Sequence, residues 1–120
     1  MPFNYILTNL LVDVPAAVGA IFLDGEGEAI EWVTRHGDPY DLKVEGAYHS
    51  IFKRQLETLS QESGVAQIRT YVIENELLTA LTQTLPGGYY VVLVQEASGS
   101  QSKALYHLRR AAHILAREVA

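Results

Sequence analysis

Two apolar runs bracket the turn Asp24-Gly25-Glu26-Gly27-Glu28: residues 16–23 before it and residues 29–33 after it, the second interrupted by Glu31. Apolar stretches of strand length joined by a short Gly/Asp/Glu segment predict a β-hairpin. Val18-Gly19-Ala20-Ile21-Phe22-Leu23 shows no polar alternation at all. A strand with one wet face would alternate, so this one is expected in the middle of a sheet that is covered on both sides. Tyr89-Tyr90-Val91-Val92-Leu93-Val94 has the same character, and the two are expected to be the central strands.

The remaining pattern supplies the cover. Residues 5–12 place Ile6, Leu7, Leu10 and Leu11 on one helical stripe, which Pro15 ends. Residues 35–41 read as a loop whose Asp41 can cap a helix beginning near Leu42, with Glu45 adding a carboxylate close to its first turn. Val44, Ala47, Tyr48, Ile51, Phe52, Leu56 and Leu59 then recur at helical spacing until Gly64 closes the segment. Strands are expected over residues 65–73, 77–85 and 89–95, separated by Glu74-Asn75-Glu76 and by Pro86-Gly87-Gly88. The second and third strands carry Glu31, Gln67 and Arg69 and belong further out. A last helix spans about residues 102–119, with Leu105, Leu108, Ala112, Leu115 and Val119 on one stripe and Ser100 or Ser102 as its cap.

A length of 120 residues suits one domain, 1–120, which at this size buries roughly 65% of its unfolded surface. Nine basic against fourteen acidic residues give a net charge of −5, which disfavours nonspecific binding to nucleic acid or to an anionic membrane. Cysteine is absent, so disulfides and thiolate metal sites are excluded. The N-terminal stretch has no basic residue ahead of it and meets Asp13 early, so no signal peptide is expected, and no apolar run approaches the ~20 residues of a membrane helix. The cytoplasm is the expected compartment.

The order helix, two strands, helix, three strands, helix resembles the roadblock family, named for a dynein light chain, in the superfamily of longin-type domains. The likeness rests on Leu10-Leu11-Val12-Asp13-Val14-Pro15 leading into residues 18–24, on Gly64, on Gly87-Gly88-Tyr89, and on Gly99 ahead of Ala104-Leu105. It departs from the family at Tyr48 and His49, where small residues are frequent. It implies an α+β, α-β-β-α-β-β-β-α fold with a five-stranded antiparallel sheet in the order 2-1-5-4-3 and helices on both faces. It also implies a noncatalytic homodimer that binds or regulates a small Ras-like GTPase, like the similar stand-alone chains of bacteria.

The residues carry no competing chemistry. Asp24-Gly25-Glu26-Gly27-Glu28 has carboxylates at alternate positions like a calcium loop, but Ala29 stands at position six and Arg35 at position twelve. No third glycine or following helix makes it a dinucleotide loop, and no G-x-x-x-x-G-K-[ST] occurs. His36, His49, His107 and His113 are too scattered for a ligand set, the last two lying on different helical faces. The serines sit where hydroxyls cap helices, with no nucleophile's His and acid beside them. Arg109-Arg110 has the look of an arginine finger for a GTPase, against the plainer reading of a solvated helix face. Trp32, Tyr89 and Tyr90 read as strand packing.

The expectation is therefore an interaction protein with no cofactor, no metal and no catalytic residue. Residues 42–64 have apolar side chains over more than the ~100° arc that one sheet covers, which leaves apolar surface for a partner. Tyr48, His49, Phe52, Lys53, Gln55 and Leu59 from this segment, with Ile68 and Val72 from the third strand, form the expected protein interface, for the homodimer and for a small Ras-like GTPase. The alternative is a small-molecule-sensing or profilin-like binding module, which a deep pocket under the sheet would favour.

Overall fold

The structure, a computed structural model, describes residues 2–35, 69–74 and 76–120. It contains α1 (Pro2–Asp13), β1 (Ala17–Leu23), β2 (Ala29–Thr34), β3 (Thr70–Glu74), β4 (Leu78–Thr84), β5 (Tyr90–Glu96) and α2 (Gln101–Val119). The five strands form one antiparallel sheet in the order β2-β1-β5-β4-β3. The two strands without polar alternation are neighbours inside it, as their apolarity requires.

The face of the sheet carrying Ala20, Phe22, Leu81, Val91 and Leu93 packs against both helices. From α1 come Ile6, Leu7, Leu10 and Leu11; from α2 come Ala104, Leu108, Ala111, Ala112 and Leu115. Phe22 is the centre of this layer, with its ring 5.3 Å from that of Phe3 and 5.7 Å from that of Tyr89. Ile21, Leu23, Ala80, Tyr90, Val92 and Val94 make a second buried cluster on the opposite face. Neither described helix contributes to it. The middle helix expected over residues 42–64 lies outside the described residues.

Element boundaries depart from the sequence expectation in ways that have local causes. α1 starts at Pro2 rather than near Tyr5, because proline has the right φ for a first helical turn and needs no N–H there. At its other end, the last carbonyls of α1 lack helical partners. The guanidinium of Arg35 meets them: Nη2 donates to the carbonyl oxygens of Leu11 and, at 3.4 Å, Val14, while Nε donates to that of Ala17 at 2.8 Å. The Arg35 amide itself donates to Val18 O, so what read as the start of a loop extends the β1–β2 pairing. β3 begins at Thr70; of the strand expected over residues 65–73, residues 65–68 lie outside the described residues. A bulge between Ala17 and Gly19 offsets the β1–β5 register, which otherwise sets Ile21 opposite Val92.

The turns explain their glycines. Asp24 Oδ1 accepts hydrogen bonds from the amides of Glu26 at 2.9 Å and Glu28 at 3.0 Å, so the carboxylate that resembled a calcium ligand shapes its own turn. Between β4 and β5, Gly87 and Gly88 hold φ of 84° and 85°, a region costly for other residues. α2 opens on Ser100, whose Oγ accepts from the amide of Lys103 at 3.3 Å.

Candidate functional site

β3 is an edge strand: β4 pairs with one side of it, and no described strand pairs with the other. Its side chains divide between the two faces of the sheet. Val72 sits opposite Leu81 and packs half-buried against the helix-covered core, whereas Ile73 sits opposite Ala80 on the second face. Gln101 of α2 donates from Nε2 to Glu74 Oε1, tying the end of β3 to the start of the last helix. Of the expected interface residues, Val72 is thus placed on an edge strand. Tyr48, His49, Phe52, Lys53, Gln55, Leu59 and Ile68 lie outside the described residues.

A second surface was not anticipated from the sequence. α1 and α2 lie antiparallel on the sheet, with Asp13 near His107 at one end and Tyr5 near Ile114 at the other. Between them runs a groove of about 440 Å³, floored by Ile6, Leu10 and Ala111. The His107 Nδ1 is 3.8 Å from Asp13 Oδ2. Arg110 and Ile114 separate this groove from a second depression of about 540 Å³, lined by Tyr106, Arg109 and His113. Arg109 and Arg110 are side by side on an exposed helix face. Among the described residues, the acid that lines these depressions is Asp13, and it sits beside His107. His113 is exposed, while His107 turns toward α1. α2 holds four of the chain's nine Lys and Arg residues, and scattered charge on a helix ordinarily marks a solvated face, which is where Arg109 and Arg110 lie.

Among the described residues, no three His, Cys, Asp or Glu side chains converge to hold a metal ion, and no helix is long and apolar enough to cross a membrane. What the arrangement offers is contact area: a strand edge that no described strand pairs, and a helix pair with exposed Tyr5, Tyr106 and Ile114.

No protein-family model and no curated protein matches the sequence. Solved structures do match the fold. The Roadblock/LC7 domain from Streptomyces avermitilis superimposes with a TM-score of 0.88 at 14% identity, over 97% of this chain and 96% of that one. The chain has the Roadblock/LC7 fold. The gliding protein MglB from Thermus thermophilus matches with a TM-score of 0.87 at 20% identity, over 98% of this chain and 90% of that one. Profilin II from Acanthamoeba castellanii is more distant, with a TM-score of 0.68 at 13% identity over 98% and 99% of the two chains. The order 2-1-5-4-3 read from strand apolarity and family resemblance is thus the order of a Roadblock/LC7 sheet.

Proposed function

We propose that this Roadblock/LC7-fold chain is a noncatalytic homodimeric adaptor or regulator that binds a small Ras-like GTPase in the cytoplasm and modulates its GTP hydrolysis. The observation that carries the reading is the place of β3 at the end of the sheet of described strands, at the far end from β2. A strand at the end of a sheet is the position from which a second copy can extend it, and residues 42–64 carry the apolar surplus that a dimer would cover. In this reading Phe52, Leu59, Ile68 and Val72 belong to the subunit contact, and the paired segment, with Tyr48, His49, Phe52, Lys53 and Gln55, is the platform presented to the GTPase. The fold shared with the gliding protein MglB supports the regulator side of the proposal.

A platform of this kind needs no catalytic group. The switch segments of a GTPase are ordered by the γ-phosphate, so a rigid surface that contacts them binds the two nucleotide states unequally. Contact of about 800 Å² per partner suffices for a specific complex. Titration of the cognate GTPase, loaded with GDP or with a nonhydrolysable GTP analogue, is expected to give unequal affinities. Equal affinity, or none for either form, would overturn the regulator reading in favour of the profilin-like binding module, which the likeness to profilin II keeps as the second reading.

A further inference from the structure

The outer face of α2 carries a repeating series that the core does not use. Lys103, Tyr106, Arg110, His113 and Arg117 follow one another at spacings of three, four, three and four residues, which sets them in one stripe along about 21 Å of helix. All five face away from Ala104, Leu108, Ala111, Ala112 and Leu115, the side chains that α2 buries. Tyr106 is 59% exposed and Ile114, beside the stripe, is 39% exposed. Lys103 lies in the first turn of α2, where the positive end of the helix dipole disfavours a cation and no acidic residue offsets it. A charge that opposes its own helix calls for a reason outside the helix.

The groove beside this stripe supplies the other half of a binding surface. Its floor of Ile6, Leu10 and Ala111 is apolar, and Tyr5, 71% exposed, rises at one end opposite Ile114. Two antiparallel helices present ridges and a furrow of the shape into which a third helix packs. The charge distribution selects that helix's character. α2 has Lys103, Arg109, Arg110 and Arg117 against Glu118, a net +3, so the rest of a chain of net −5 carries −8. An extended polyanion such as a membrane surface or a nucleic acid would meet that larger negative charge. A single short helix meets the basic face and, among the described acidic residues that line the groove, Asp13 alone, which sits beside His107.

We propose that the α1–α2 groove, with the cationic stripe of α2 beside it, is a docking site for an acidic amphipathic helix of a protein partner. Its apolar side chains enter over Ile6, Leu10 and Ala111, and its carboxylates face Lys103, Arg110 and Arg117. The inference uses neither residues 42–64 nor the edge of β3, so it stands or falls separately from the GTPase reading.

The test is a fluorescein-labelled helical peptide of about 18 residues with Leu and Glu on adjoining stripes, titrated into the full chain and followed by anisotropy. Saturable binding is expected in the weak, micromolar class that suits a small contact. It should weaken severalfold between about 50 mM and 300 mM salt, because exposed charge pairs are screened. Arg110→Glu with Arg117→Glu is expected to weaken it about tenfold, since two exposed attractions become repulsions. Ile114→Ser, which removes apolar contact without adding charge, is the second variant, expected to weaken binding with little change in its salt dependence. Circular dichroism of both variants should match the parent, as all three positions are on the exposed face. A peptide of the same composition with its Leu and Glu positions shuffled should not bind. Equal binding by the shuffled peptide, undiminished binding by both variants, or binding to phosphatidylserine vesicles but not to the peptide would overturn the proposal.

Discussion

Gly99 shows how little slack the turn before α2 has. A methyl group at this position would lie 2.6 Å from Ala16 Cβ and 2.8 Å from Gln95 Oε1, well inside contact distance. Gly99→Ala is expected to destabilise the chain by about 1–3 kcal/mol, the usual cost of overpacking, as read by urea denaturation. Its neighbour Gln95 is the reverse case. It is 1% exposed, and neither its Nε2 nor its Oε1 has a hydrogen-bond partner among the described residues. A carboxamide in that position costs about 1–3 kcal/mol relative to water. Gln95→Met, close in volume, is therefore expected to raise the denaturation midpoint, and a fall would show that a bound water satisfies the amide. Neither constraint was legible in the chain. Gln95 follows an apolar run, where a polar residue ordinarily marks the strand's emergence into solvent. In this fold, however, β5 stays in the middle of the sheet beyond that point, opposite Ala17 and Thr79.

α1 depends on contacts from elsewhere in the fold, since a helix of 12 residues is marginal by itself in water. One such contact is Arg35, which reaches back to carbonyl oxygens at the end of α1. Arg35→Ala is expected to cost about 1–2 kcal/mol and to fray α1 first, visible as faster amide exchange at residues 10–13. Lysine should restore only part of this, because a single ammonium does not span three carbonyls as the guanidinium fork does. The sheet's other edge has its own safeguard. The Arg35 amide donates to Val18 O, and by the antiparallel alternation the Trp32 amide points to the side of β2 that no described strand pairs. There it donates to Glu31 Oε1 at 3.1 Å. Glu31→Ala removes both that acceptor and a negative charge from the edge, so concentration-dependent association through β2 is expected to increase in light scattering.

At the scale of the molecule, sheet order was the most legible property and the interface the least. Two strands apolar at every position can only be central, and that fact, with the family resemblance, orders all five. An interface has no comparable signature, because its residues are explained by a second molecule. Tyr48 or Phe52 in a helical stripe reads equally as core or as contact, and the Lys103-to-Arg117 stripe reads in the sequence as ordinary solvation. The dimer is expected to show in light scattering on a sizing column, with Phe52→Asp dissociating it; a monomer at micromolar concentration would refute the dimer. The pairing at the sheet's centre also has a consequence during synthesis. Ile21 of β1 lies opposite Val92 of β5, a partner made 71 residues later. β1 therefore leaves the ribosome as an apolar strand that can pair early with β2 on one side only, and closing so long a loop is slow. The period of greatest aggregation risk is expected to be that interval of translation, when a chaperone that holds nascent chains would have the largest effect on yield.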